Sequence, residues 1–295
     1  MIDSDDFVFV NGDDAELSPS AKPISAIAIN NFRLSTLSAM PRPKKPFANR
    51  TAIVTGAARR LGRAIALALA ENGADIILHY GASRAMAEET AGEIEAMNRR
   101  VVLVSADLQE SVAAAKTIVA AGKSLGGADI LVNSAAIFED LPFPETSEEL
   151  YDRHQAINLK AAFFLCQEFT KQLPLDRSGQ ILNLVDWRAA HPPTDYIAYT
   201  ISKAGLLALT KSLALRLAPR IRVNAIAPGA ILPPPGGGFD QWRDMKLPAI
   251  PLQDTGDPQD IVEAALYLLN AKFVTGEVLS VTGGEQLFRC NQNGP

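Results

Sequence analysis

The stretch Ala52-Ile53-Val54-Thr55-Gly56-Ala57-Ala58-Arg59-Arg60-Leu61-Gly62 decides how this 295-residue chain folds. A short apolar run ends in a glycine turn, and a stretch of helical length follows. A turn in that place presents the free backbone N–H groups and positive dipole end of the helix, an arrangement that suits a pyrophosphate. A lone glycine pair would carry little weight. Its position after a strand, before a helix and at the head of an alternating pattern sets it apart from an ordinary tight turn.

Outward from this turn, short apolar runs alternate with amphipathic stretches, the pattern of a parallel sheet with helices on both faces. Strands are expected at Thr51–Thr55, Asp75–Tyr80, Val101–Ser105, Ile130–Asn133, Gln180–Val185, Ile221–Ala225 and Val278–Val281. Helices are expected near Leu61–Asn72, Arg84–Asn98, Ser111–Ser124, Ser147–Gln172, Tyr196–Ala218 and Pro258–Asn270. Seven strands fit one sheet, so residues 49–290 are read as a single α/β domain. Ahead of it, Pro41-Arg42-Pro43-Lys44-Lys45-Pro46 marks a boundary, because proline removes donors and constrains the residue before it. Residues 1–48 read as a poorly ordered extension. The run Pro233-Pro234-Pro235-Gly236-Gly237-Gly238, followed by Phe239, Trp242, Met245 and Leu247, reads either as a surface loop or as a lid over a pocket.

Composition narrows the class. Hydrophobic residues make up 47% and charged residues 21% of the chain, enough to bury a sizeable core and too apolar for disorder throughout. No uncharged apolar run reaches the roughly 18 residues of a membrane span, and no secretory signal is evident. Cys166 and Cys290 with His79, His154 and His191 lack ligand spacing, so neither a disulfide framework nor a zinc site is expected, and a reducing, cytoplasmic compartment fits. The net charge of -5 is uneven: Asp3, Asp5, Asp6, Asp13, Asp14 and Glu16 crowd the first 16 residues with no base among them, and the remainder is nearly neutral. That balance gives no broad basic footprint for nucleic acid; Arg42, Lys44, Lys45 and Arg50 read as a solvated linker.

The end of the second strand decides which dinucleotide is held, since an acid there binds a ribose 2′-hydroxyl and a basic environment accepts a 2′-phosphate. That end is His79-Tyr80-Gly81-Ala82-Ser83 and has no acid. Asp75 begins the strand and lies far from the carboxyl edge. Arg59 and Arg60 supply guanidinium donors, with His79 and Ser83 adding hydrogen bonds, so NADPH is expected over NADH. Further on, Tyr199-Thr200-Ile201-Ser202-Lys203 places a phenol and an ammonium at i and i+4 on one helix face. The ammonium is expected to favour phenolate and to bring Tyr199 down from its ordinary pKa of about 10.

Thr55-Gly56 with Gly62, Asp107-Leu108, Asn133-Ser134-Ala135-Ala136, Asn158, Tyr199 with Lys203, and Pro228-Gly229 together resemble the short-chain dehydrogenase/reductase family across residues 50–285. The resemblance implies a Rossmann-type, doubly wound fold. It implies that Gly56, Arg59, Arg60, Leu61 and Gly62 surround the cofactor phosphates. Asp107 and Leu108 would sit by the adenine, Asn133 and Ala135 would line the cofactor, and Pro228 and Gly229 would border it. Lys203 would hold the nicotinamide ribose, Tyr199 would be the proton donor, and Asn158 would organise a water relay to Lys203. It also implies a homotetramer that pairs the helices of 147–172 and 196–218 across a two-fold axis.

Three positions depart from the family pattern: Arg60 replaces the middle glycine, Ser134 the second asparagine, and Asp186 the catalytic serine. The glycine turn with His79, Tyr80 and Ser83, the run Asn183-Leu184-Val185-Asp186, and Phe138 look like the pteridine reductase branch, in which Phe138 would stack on a pterin. Ala136 and Ile231 stand where that branch is expected to have polar contacts. Chemistry gives Asp186 independent weight. An ionised carboxylate opposes a developing oxyanion, whereas reduction of C=N requires a proton on nitrogen, which an Asp–Tyr pair supplies. The expected activity is therefore NADPH-dependent reduction of a pterin or dihydropterin, with a ketone or 3-oxoacyl reductase as the alternative and a turnover-deficient nucleotide sensor as the reading from another class.

Overall fold

The computed structural model describes residues 45–139, 141–234 and 237–288. Residues 1–44 of the expected extension, Cys290 and part of the 233–238 run lie outside the described residues. In chain order the elements are β1 (Thr51–Val54), α1 (Arg60–Glu71), β2 (Asp75–Tyr80), α2 (Arg84–Ala96), β3 (Val101–Ser105), α3 (Ser111–Ala121), β4 (Ile130–Asn133), α4 (Glu148–His154), α5 (Ala161–Gln172), β5 (Gly179–Leu184), α6 (Ile197–Leu217), β6 (Ile221–Pro228), α7 (Phe239–Lys246), α8 (Pro258–Asn270), β7 (Val278–Val281) and α9 (Glu285–Phe288). The seven strands form one sheet in the order β3-β2-β1-β4-β5-β6-β7, every neighbouring pair parallel. This is the expected Rossmann-type doubly wound sheet.

Side-chain alternation explains the two layers. Ala52, Val54, Ile76, Leu78, Ile130 and Val132 face one way, onto Ile65 and Leu69 of α1 and Ile261 and Leu268 of α8. Ile53, Ile77, Leu131 and Ile181 face the other, onto Ile118 of α3 and Leu165 and Phe169 of α5. Both faces are covered, so the strands read as continuous apolar runs. The order reverses between β1 and β4, and the crevice at the carboxyl ends of those strands is where such sheets bind ligands.

The structure corrects the sequence reading at four places. The domain begins before residue 49: Phe47 is buried in the core, and its N–H donates to Asn72 O at 3.0 Å. The helix expected over 147–172 is interrupted by a π-helical stretch, Gln155–Lys160, which carries Asn158; such stretches widen a helix locally and cluster at functional sites. The sixth strand runs on to Pro228, held by pairing to β7. Residues 239–246, read as part of a surface loop or a lid, form α7, which buries Trp242; the neighbouring proline and glycine run hid this short amphipathic segment.

Candidate active site

The glycine turn is held from three sides. The Thr55 hydroxyl accepts from Ser134 N and Ala135 N at 3.0 and 3.1 Å, which ties the end of β1 to the loop after β4. Gly56 has a φ of +65°, and a Cβ there would lie 3.0 Å from Ala135 Cα, so both conformation and space require glycine. Gly62 lets α1 start against this turn, since its Cβ would sit 2.8 Å from the Gly56 carbonyl carbon. Arg59 occupies the N-cap of α1, and among the described residues no side chain caps the helix, which leaves its first-turn N–H donors without a capping partner, half-buried Leu61 being among the first-turn residues.

His79 is 2% exposed, and both its ring nitrogens are committed. Nδ1 accepts from Gly56 N at 3.3 Å, and Nε2 donates to Ala106 O at 3.1 Å. Burial pushes its pKa down, which suits this neutral form. The expected direct hydrogen bond from His79 to a phosphate is therefore corrected: His79 props the turn. Arg60 is corrected similarly. It adopts a φ of 54°, and its guanidinium donates to Pro233 O at 2.8 Å and Leu232 O at 3.4 Å, fastening the turn to the loop after β6 rather than reaching the end of β2. Arg59 stays exposed. At the end of β2, Tyr80 is half-buried, and Ser83 starts α2 without capping it.

Asp107 spends its carboxylate on Gln109 N at 2.9 Å, bracing the loop before α3, and Leu108 is buried in the core. Asn133 is turned into the sheet, not outward: its Nδ2 donates to Asn183 Oδ1 at 2.8 Å. Ala135, two residues on, is half-buried, and its N–H donates to the Thr55 hydroxyl. Pro228 ends β6, and Gly229 N donates to Val281 O at 2.8 Å; a Cβ on Gly229 would meet Thr282 Cα at 2.8 Å.

The chemistry-bearing side chains meet at the ends of β4 and β5 and the first turns of α6. Tyr199 Oη donates to Asp186 Oδ2 at 2.9 Å. Lys203 Nζ donates to Leu184 O at 2.6 Å and lies 5.7 Å from the Tyr199 ring centroid. Asn158 clasps the main chain of Ile137, accepting from its N at 2.9 Å and donating to its O at 3.0 Å, and also donates to Ser202 Oγ at 3.1 Å. Phe138 stands next along that loop, 45% exposed, stacked on Tyr196 at 4.2 Å and edge-on to Tyr199 at 4.7 Å.

Electrostatics here differ from expectation. Burial and the adjacent Asp186 carboxylate hold the Tyr199 phenol well above its usual range, with Arg188 acting the other way. The expected lowering by Lys203 is not what governs it. Burial brings Lys203 itself down to about 8. Tyr199 is thus a protonated donor pointed at a carboxylate.

Arg188 is the residue the sequence reading missed. Its main-chain N–H donates to Asp186 Oδ1 at 2.8 Å, and its Nη1 approaches the two carboxylate oxygens at 3.3 and 3.4 Å. No spacing motif marks it; a base two residues after an acid is commonplace in sequence. Tyr196, in the left-handed region at φ 53°, was missed for the same reason. Among the described residues no group of His, Cys, Asp and Glu is placed to hold a metal ion, and no helix is long and apolar enough to cross a membrane.

Comparison with known proteins agrees with this fold. Residues 56–286 match the family model described as enoyl-(acyl carrier protein) reductase. The chain is 35% identical over 240 residues to the 3-oxoacyl-[acyl-carrier-protein] reductase FabG of Staphylococcus epidermidis, covering 80% of this chain and 98% of that one. It is 33% identical over 242 residues to the short-chain dehydrogenase/reductase eriH of Hericium erinaceus, covering 79% and 96%. The crystal structure of FolM alternative dihydrofolate reductase 1 from Brucella canis, complexed with NADP, superposes with a TM-score of 0.77 at 32% identity, covering 83% of this chain and 97% of that one.

Proposed function

The chain belongs to the short-chain dehydrogenase/reductase family, and from that premise we propose that it uses NADPH to reduce a C=N bond of a pterin or dihydropterin. The observation that carries this reading is the 2.9 Å hydrogen bond from Tyr199 to Asp186, a carboxylate where the family resemblance leads one to expect a serine. The likeness to a dihydrofolate reductase bound to NADP supports it.

The residues fit the cofactor. The uncapped start of α1 and the glycine cradle at Gly56 and Gly62 take the pyrophosphate. The uncapped N-terminus of α2 with Ser83 and exposed Arg59, beside a β2 end whose residues 79–83 include no acid, take a 2′-phosphate. Ala135, Pro228 and Gly229 line the groove beyond, and Lys203 serves the nicotinamide ribose. Held there, the reduced nicotinamide would supply the hydride for the carbon of C=N.

Tyr199 supplies the proton to the nitrogen. Asp186 orients the phenol and accepts hydrogen bonds from the amino-pyrimidine edge of the ring, a preference that plain ketones do not satisfy. Phe138 and Tyr196 offer flat apolar surface at the mouth of the site, with Phe138 placed to contact the pterin. Asn158 positions both by clasping Ile137 and reaching Ser202 of α6, one residue before Lys203; we retain it as the organiser of the relay to Lys203.

A carbonyl or 3-oxoacyl reductase is the second reading, favoured by the FabG relative. Oxidation of NADPH with dihydrobiopterin, an acetoacetyl thioester and a reactive diketone separates the two. Turnover of the thioester or the diketone with none of the pterin rejects the first reading. We also propose a cytoplasmic homotetramer, supported by exposed Tyr151 and Phe163 on α4 and α5 and Ile201 on α6; a monomeric elution on size exclusion contradicts it.

A further inference from the structure

Arg188 is largely buried in the candidate active site. Its side chain and that of Asp186 are each 12% exposed. The guanidinium is sandwiched by aromatic surface, 4.9 Å from the Trp187 ring centroid, 5.8 Å from that of Phe138 and 6.0 Å from that of Tyr196. Its Nε has no acceptor among the described residues. A guanidinium fixed by three rings and one carboxylate is held for its charge more than for its hydrogen bonds.

The charge has a use that follows from the chemistry of the pair beside it. When Tyr199 gives up its proton, a phenolate is left 2.9 Å from the Asp186 carboxylate. Two anions at that separation in a buried site repel strongly. Lys203 lies on the Tyr199 side, with Nζ bound to Leu184 O. From the other side, a cavity of about 150 Å³ brings Lys211 and His191 toward Asp186. Arg188 is in ion-pair contact with the carboxylate, its Nη1 3.3 Å from Asp186 Oδ1.

We propose that Arg188 is a positioning residue for proton transfer, supplying the counter-charge to the Asp186 carboxylate while Tyr199 hands its proton to the substrate. The direction of its effect on Tyr199 agrees, since Arg188 opposes the upward push of burial and Asp186. The proposal rests on Tyr199 as donor, and it deepens the reading of an Asp–Tyr pair adapted to C=N reduction. The electron pair moves as hydride to carbon, and the proton on nitrogen comes from Tyr199; Arg188 itself exchanges neither.

The test uses the full chain with Arg188→Gln and Arg188→Lys, assayed with NADPH against dihydrobiopterin and against a reactive diketone. Arg188→Gln is expected to lower kcat by about 10²-fold, within the range of general-acid effects, while the NADPH dissociation constant stays within about twofold. Arg188→Lys, which keeps the charge, is expected to recover at least about tenfold of that loss. The solvent deuterium isotope effect on kcat is expected to rise in Arg188→Gln, because proton transfer becomes slower relative to other steps. Full activity in Arg188→Gln overturns the proposal. So does a loss that Arg188→Lys fails to restore and that leaves the isotope effect unchanged, since that outcome describes a packing role. A wild type active on the diketone and inactive on every pterin defeats the pterin reading alone, and the same three readouts on the diketone then judge Arg188.

Discussion

Replacing Gly62 by alanine tests the cradle where local sequence and cofactor affinity meet. The added Cβ would lie 2.8 Å from the Gly56 carbonyl carbon, closer still to its oxygen, and 3.2 Å from Ala57 Cα. Carbon atoms pack best at about 3.5–4.0 Å, so the turn must retreat by roughly 0.7–1.2 Å. All three opposing atoms are main chain, held by Ala57 N donating to His79 O at 2.9 Å and by His79 against Gly56 N, so no flexible side chain absorbs the strain. Overpacking of this kind costs about 1–3 kcal/mol. If the strain displaces the N–H groups that receive the pyrophosphate, NADPH binding weakens by about 10- to 100-fold, or about 1.4–2.7 kcal/mol. Fluorescence titration of NADPH and thermal unfolding read the two consequences separately; the melting temperature is expected to drop by about 2–4 °C per kcal/mol. A Gly62→Ala protein that binds NADPH within threefold of the wild type refutes the claim that this close approach shapes the cofactor site.

Gly92 is the control: it lies within α2, exposed, with nothing within 4 Å of an added Cβ, so Gly92→Ala should stabilise by about 0.4–1 kcal/mol in chemical denaturation and leave kinetics untouched. Tyr199→Phe removes the transferable proton and little else, so kcat should fall by at least about 10²-fold with NADPH affinity nearly unchanged; retention of a tenth of the activity would mean a different donor. Lys203, brought down to about 8 by burial, is charged below that pH and neutral above it, so kcat/KM in the free enzyme should decline as pH rises through about 8. Lys203→Arg, charged at every accessible pH, should lack that limb even if its maximum is lower; an identical limb in the variant would assign it elsewhere.

Much of the fold was legible because its signals are local. Alternating burial on two faces needs apolar strands between amphipathic helices, and the run from Ala52 to Gly62 states that pattern in eleven residues. Where signals compete, reading along the chain failed. The proline and glycine run before Phe239 masked α7, and the π-helical stretch around Asn158 has no sequence signature distinct from an α-helix. In the site, Tyr199, Lys203 and Asn158 were visible because their spacing is itself the signal. Their environment was not. The pairing of Asp186 with Tyr199 was expected, but only the fold shows that burial and this carboxylate, rather than Lys203, set the direction of the Tyr199 pKa, and only the fold aims both nitrogens of His79 at main chain. Arg188 was invisible for the same reason: its importance lies in three rings contributed by different segments of the chain.

The central claim, that the Asp186–Tyr199 pair equips this reductase for a C=N bond, is tested most directly by kcat/KM for dihydrobiopterin and for a reactive diketone in the wild type and in Asp186→Ser. Loss of the carboxylate removes the contact to the amino-pyrimidine edge and the orienting partner of Tyr199, so pterin reduction is predicted to fall by about 10²–10⁴. The same change removes a negative charge beside a developing oxyanion, so diketone reduction is predicted to hold or rise. An Asp186→Ser protein that keeps pterin activity and loses diketone activity, or a wild type that reduces no pterin at all, contradicts the account.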